Sequence, residues 1–327
     1  MDPLMTLSTS QPSWPLNGQQ PELLFSQLSH LGLISVTGEQ GRSFIHGQVT
    51  TDISSLENDQ WRWGAHCDPK GKMLASFRTF AKDDTLFIMM PKDTLALDLP
   101  QLQKYAVFSK AELADISDAW LLLGVAGEQA NAWLTAQFGE LSAELTLIDG
   151  GIILHDAGRY IVAIDKTHAD AFIAKIEQPI FDASAWQTLE ILAGYPNLGA
   201  SHQGQFVPQM CNVQAVNGIS FNKGCYMGQE TVARMKYRGG NKRALYIVSG
   251  KVSAPLTADS QLEIALEDGE GFRRAGTIIE AVQRDGQVLL TAVLANDTQL
   301  DAKLRVAGDE SSELTLIALP YSLEDQD

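Results

Sequence analysis

Past Asn241 the helical spacing stops and gives way to six short β-like runs, at 243–252, 261–266, 274–283, 288–294, 303–306 and 313–319, joined by turns such as Asp285-Gly286. Six such runs predict a small closed barrel over 241–327. Upstream the pattern is different. A β-rich run at 31–37 and a short helical segment at 42–46 precede three strands at 61–67, 73–80 and 85–90, separated by Asp68-Pro69-Lys70-Gly71 and Asp83-Asp84. A helix is expected over 94–108, bent or interrupted at Pro100. A second round has strands at 120–125 and 160–164 and helices at 128–138 and 168–176. The repeated order reads as two α+β domains, 21–115 and 116–240, ahead of the barrel. A chain of 327 residues exceeds the usual size of a single core, which agrees with several domains.

Residues 1–20, rich in Ser, Thr, Gln and Pro, read as a flexible tail. Ser184-Ala185-Trp186-Gln187 has the Ser-x-x-Gln form of a capping box, with Gly194 and Pro196 ending the helix it starts. From 195 to 228 little periodicity is present, and a loop of that length inside a compact protein is more often functional than idle.

With 24 Lys and Arg against 40 Asp and Glu, the net charge of -16 argues against a general nucleic-acid binder. An acidic average leaves room for one local basic patch. The first cation is Arg42, so no positive n-region of an export signal is read, and the longest strongly apolar stretch, 120–126, is far short of a membrane span. Three cysteines without a CxxC pair, Cys67, Cys211 and Cys225, indicate a reducing compartment, and a cytoplasmic location is expected with no metal site.

The most informative stretch runs from Asn222 to Arg234. Gly224 and Gly228 bracket Cys225 and are expected to turn the backbone so that the thiol sits at a loop tip. Lys223 and the N-terminal end of the next helix would both favour a thiolate. A lone cysteine is ordinarily a small buried hydrophobe, and the bracketing glycines weigh against that here. Glu230 is spaced for an i,i+4 ion pair with Arg234. Arg234, Lys236, Arg238, Lys242 and Arg243 come next with no acid among them, a cluster suited to an anion such as a glutamate tail, a phosphate or RNA.

The string Lys223-Gly224-Cys225-Tyr226-Met227-Gly228-Gln229-Glu230 resembles the K-G-C-Y-x-G-Q-E signature of the YgfZ family. The segments at 46–50, 66–72, 104–108, 241–245 and 320–323 look similar to it as well. The resemblance implies a fold like the glycine-cleavage T-protein, with two ferredoxin-like α+β domains and a β-barrel in a ring around a central channel. It also implies binding of tetrahydrofolate, including a polyglutamated form, and support of tRNA thiomethylation through synthesis or repair of iron–sulfur enzymes, which would be transient partners. Cys225 would be the functional thiol, with Lys223 beside it. Folate contacts would come from Trp186, from Leu31 where a second tryptophan is expected, and from Tyr226, Gln229, Arg234, Arg238 and Lys242. Trp186 read from its helix alone is a core anchor with Leu189 and Ala193. A monomer is expected.

Two other functions are consistent with parts of the sequence. A folate-dependent one-carbon transferase would follow from the T-protein-like layout, although that protein's catalytic aspartate motif is not recognisable around Pro69-Lys70-Gly71-Lys72, and a shared fold does not carry a reaction with it. A cysteine hydrolase would need one of six histidines as base, and no spacing orders one against Cys225.

Overall fold

The computed structural model describes residues 7–257, 259–266 and 271–323. Strands β1 (Leu24–Gln27) and β2 (Leu31–Thr37) lead into a short helix α1 (Gly41–His46), a meander β3 (Trp61–Cys67), β4 (Met73–Lys82) and β5 (Thr85–Pro91), then α2 (Lys92–Ala106) and β6 (Glu112–Asp115). The first sheet has the order β3-β4-β5-β2-β6 and is antiparallel throughout. Strand β4 is buried on both faces, and its period of two decides what each side chain meets. Ala75, Phe77 and Ala81 face the core under α1 and α2, whereas Phe80 packs with Leu31 and Trp186 in the core shared with the second unit.

The second unit comprises β7 (Trp120–Ala126), α3 (Ala130–Phe138), β8 (Leu145–Ile148), β9 (Gly151–Asp156), β10 (Arg159–Asp165), α4 (Lys166–Ile173), β11 (Ile180–Phe181) and α5 (Ala183–Leu192). Its sheet has the order β11-β1-β7-β10-β9-β8. Strand β1 therefore belongs here, antiparallel to β7 and parallel to β11, and not to the first unit where its place in the chain put it. The hairpin of β8 and β9 is not among the expected strands, although Asp149-Gly150 between two apolar runs is its signal in the sequence. Helix α6 (Gln229–Arg238) precedes β12 (Arg243–Lys251), β13 (Gln261–Ala265), β14 (Phe272–Arg284), β15 (Gln287–Ala295), β16 (Leu304–Val306) and β17 (Asp309–Ile317), which close into a barrel in the order β12-β15-β14-β13-β16-β17.

Four local expectations are corrected. The described part of the N-terminal segment is docked: Ser10 bridges to Phe181, Leu16 is buried, and Trp14 meets Phe181 edge-on while its carbonyl accepts from Arg284. Isolated apolar anchors such as these leave no periodic trace. Helix α5 is capped by Asp182, whose side chain accepts from the Ser184 backbone N–H, so Ser184 sits inside the first turn instead of at the cap. Pro100 lies within α2 without ending it. The segment from 195 to 228 has short 3₁₀ turns but no strand, and much of it is core: Leu198, Phe206, Cys211, Val213 and Ile219 pack with Val232 of α6 and Leu245 of the barrel. Its Asn212 amide donates to the Leu245 carbonyl and accepts from the Leu245 N–H, doing for β12 what a neighbouring strand would do.

Gly124 of β7 is the point at which α5 comes closest to its sheet, since a Cβ there would lie 2.2 Å from Cε3 of Trp186. Replacing Gly124 by Ala should lower stability by about 1–3 kcal/mol, the usual cost of overpacking a filled core. A chemical-denaturation midpoint equal to that of the parent chain would show that the helix yields freely.

Candidate functional site

The alternation of β4 turns Arg78 away from α2 and into the place where the units meet. Its Nη2 donates to Asp156 Oδ2 of β9 at 3.0 Å and to Glu190 Oε1 of α5 at 2.5 Å, and its guanidinium lies 4.3 Å from the centre of the Trp63 ring. Arg159 pairs with the same Asp156 at 3.4 Å, and the Tyr195 hydroxyl donates to its other oxygen. Burial would push the Glu190 carboxyl up, but Arg78 holds it below the usual range. Two guanidiniums thus balance two carboxylates.

Glu280 of β14 stands outside that balance. The Asn197 amide donates to Glu190 Oε2 at 2.7 Å and to Glu280 Oε2 at 3.2 Å, and Gln187 donates to Glu280 Oε1 at 3.2 Å. No cation pairs with Glu280 among the described residues, and burial followed by the charge of Glu190 pushes its carboxyl up to about 8. It therefore faces neutral solution largely protonated. Glu280, Gln187 and Asn197 form one wall of a cleft of about 370 Å³ completed by His30, Lys92 and Asp93, so residues of both sheets' units and of the barrel line it. Both ring nitrogens of His30 are buried without a hydrogen-bond partner, and burial lowers its pKa. The neutral imidazole leaves one donor and one acceptor unused beside the cleft.

The Cys225 loop lies elsewhere. Cys67 and Cys211 are buried, and burial raises both thiols, Cys211 to about 12; Cys225 is exposed. Gly228 takes a left-handed conformation at φ 80° and packs against the turn after β3, where a Cβ would lie 2.6 Å from the Asp68 carbonyl. Gly71 meets it from the other side, a Cβ there coming within 2.6 Å of Thr231 Cβ. Both positions need glycine for close approach. Gly224 does not share the positive φ expected of it, and open space surrounds its Cα.

Lys223 is not a cation aimed at the thiol. Its Nζ donates to the carbonyls of His46, Val49 and Thr51 at 2.5, 2.7 and 2.8 Å, ending α1 and anchoring the loop, and burial brings its pKa down to about 8. Gln229 is likewise internal, its Oε1 accepting from the Tyr226 N–H. Tyr226 lies 5.0 Å under the Lys223 ammonium. Arg234, Arg238 and Lys242 are exposed, and Glu230 forms no ion pair with Arg234.

The predicted site residues thus fall into separate places. Leu31 and Trp186 do come together, in one apolar core, but Trp186 is wholly enclosed (0 % exposed), with the Arg159 guanidinium 5.3 Å from its ring. It has no free face on which a ligand ring could stack, and its role here is the anchoring one. The neighbouring Gln187 is the residue of that helix that reaches the cleft. None of Tyr226, Gln229, Arg234, Arg238 and Lys242 lines the junction cleft. The cleft residues His30, Asn197 and Glu280 are not apparent from the sequence. They are far apart in the chain, and only the setting of Glu280 among the apolar residues of β14 offers any hint.

Two α+β units closed by a six-stranded barrel around a polar junction define the glycine-cleavage T-protein class of fold. Among solved structures, glycine cleavage system aminomethyltransferase T from Bartonella henselae superposes with a TM-score of 0.69 at 17% identity, covering 91% of this chain and 86% of that one. Residues 241–309 match the family model described as YgfZ, beta-barrel domain. The tRNA-modifying protein YgfZ of Colwellia psychrerythraea is 38% identical over 326 residues, 98% of this chain and 99% of its own length. That of Yersinia pseudotuberculosis is 43% identical over 310 residues, 92% and 93% of the two chains. The chain belongs to the YgfZ family.

The protonated Glu280 gives the folded state a proton that the unfolded chain releases above its ordinary carboxylate range. Its contribution to stability is complete below pH about 4.5 and is lost as pH rises through about 8. Thermal midpoints of the parent chain should fall across that window, with a slope below the about 1.4 kcal/mol per pH unit of a fully transferred proton because the carboxyl is partly open to the cleft. Glu280→Gln should flatten the profile. An unchanged slope in the variant would assign the proton to another group.

Proposed function

We propose that this chain binds a folate in the junction cleft and supports tRNA modification, with Cys225 as its functional thiol. The observation that carries the folate reading is a polar cleft wall with the unpartnered His30 ring beside it. His30 offers a free donor and acceptor, Glu280 a protonated carboxyl, and Gln187 and Asn197 two amides bonded to it, while the charged groups that line the cleft, Lys92 and Asp93, are exposed. A flat, uncharged heterocycle with alternating donors and acceptors along its edge fits such a wall, because the buried His30 ring gains the partners it lacks. Lys92 is exposed at the rim, where the anionic glutamate tail of a tetrahydrofolate, or its polyglutamated extension, would find a counter-charge. The fold shared with an aminomethyltransferase shows architecture alone.

The relatives that match end to end are named tRNA-modifying proteins, which supports the second half of the reading. In it the protein works in the cytoplasm as a monomer beside iron–sulfur enzymes that thiomethylate tRNA, and the exposed Cys225 is the group presented to them. Among the described residues no helix is long and apolar enough to cross a membrane.

Calorimetric titration with tetrahydrofolate tests the site. His30→Ala and Gln187→Leu should each weaken binding by about tenfold, the worth of one buried hydrogen bond left unmade. Arg234→Ala with Arg238→Ala should leave it unchanged, and the opposite pattern would move the ligand to α6. In cells, Cys225→Ala should lower the thiomethylated adenosine of tRNA. Levels equal to those with the parent chain would remove the thiol from the function.

A further inference from the structure

A second cleft, of about 420 Å³, opens between the long loop, the end of α6 and the barrel. Its character differs from that of the junction. Amide side chains dominate the lining, from Gln209, Gln214, Asn217, Asn241 and Asn296, and no Asp or Glu among the described residues lines it. Gln209 is 5 % exposed and its Nε2 donates to the Val232 carbonyl at 2.7 Å, which leaves Oε1 buried without a partner; Gln214 Oε1 is buried and unpartnered as well. Two buried acceptors beside an open cleft suit a ligand with N–H donors. Phe221 forms part of the wall with the Lys236 ammonium 4.4 Å from its ring centre, and the Tyr237 ring, 67 % exposed, stands edge-on to it at 6.3 Å. Aromatic surface, free amide oxygens and adjacent cations together match a nucleobase with its phosphate.

The cations continue past this cleft. Lys236, Arg238 and Lys242 are exposed and form no salt bridge among the described residues. Gln209 and Asn241 line the amide cleft, while Met210 and Arg243, one and two residues further on, line another of about 470 Å³ that also contains Lys72 and Arg274 and, among the described residues, no carboxylate. The two clefts are lined by neighbouring residues of the same two segments, 209–210 and 241–243, so cations of both are available to successive phosphates. In a chain of net charge -16 such a path is the local exception that a polyanion requires.

We propose that this face binds single-stranded RNA, with one base in the amide cleft against Phe221 and the neighbouring phosphates on the cations of α6 and of the adjoining cleft. The site is distinct from the junction cleft and stands whether or not a folate binds there. Fluorescence anisotropy with a labelled single-stranded RNA of about ten nucleotides, within the span of one such site, tests it across a salt series. The parent chain should bind with a salt-dependent affinity. The triple variant Lys236→Ala, Arg238→Ala, Lys242→Ala changes only exposed side chains and should weaken binding by at least tenfold, lowering the log–log salt slope by about 0.7 for every phosphate no longer neutralised. Gln214→Leu should reduce the preference for this RNA over an abasic oligomer of equal length. No binding by the parent chain at low salt, an unchanged slope in the triple variant, or an abasic oligomer bound as tightly by the parent chain would overturn the proposal.

Discussion

The charge of Arg78 is the constraint around which the rest of the molecule is arranged. A guanidinium removed from water costs several kcal/mol unless it is paired, and here Asp156 of β9 and Glu190 of α5 both accept from its Nη2 while the Trp63 ring covers one face and Nε is left without a partner. The arginine belongs to the first sheet and both carboxylates to the second unit, so the pairing can form only when the two units dock in one relative position. Buried ion pairs of this kind contribute more to specifying an arrangement than to net stability. The barrel enters the same network through Glu280, which Asn197 links to Glu190. Because the two arginines already balance Asp156 and Glu190, the carboxyl brought by the barrel has no cation left to pair with. It keeps its proton, and that is what makes the cleft wall neutral.

Most of the fold was legible where alternation or helical spacing runs for six residues or more. Strands β3, β4 and β5 and the barrel strands β12, β14, β15 and β17 stood out for that reason, whereas the shorter β13 and β16 were read from their place between turns. The chain's exchange between sheets was not legible. Strand β1 spans Leu24–Gln27 and β11 only Ile180–Phe181, lengths at which a period of two means nothing. Their pairing is decided by tertiary packing, as is the docking of Trp14 and Leu16.

The site was legible in a different way. The glycine-bracketed loop identified Cys225 as accessible, because Gly228 requires its left-handed conformation and its close contact with the turn after β3 for reasons visible in the residue itself. Charge was misleading at Lys223. A lysine two residues before a cysteine suggested an electrostatic partner, yet three backbone carbonyls left over near the end of α1 take its donors. Trp186 likewise suggested a stacking platform, and the absence of a side chain at Gly124 instead lets the ring sink into the sheet. The cleft residues could not be assembled from sequence at all. His30, Lys92, Gln187, Asn197 and Glu280 come from five segments that only the tertiary fold brings to one cleft.

The stretch from 195 to 228, which looked like a loop because it has no period, is the element common to the sites. Asn197 closes the junction cleft, Gln209, Gln214 and Asn217 line the amide cleft, and Cys225 stands at its far end. Irregular backbone suits that task, since a strand or helix would send side chains to fixed alternate directions whereas this segment sends near neighbours to different surfaces. Such a segment can be buried only if its backbone groups are satisfied, and specific partners do so: Thr50 Oγ1 accepts from the Ala65 N–H and donates to the Gly218 carbonyl, and the Met73 N–H donates to the Phe206 carbonyl. The absence of periodicity is therefore the sequence signature of a wall built to face several ways, held by the regular elements on either side of it.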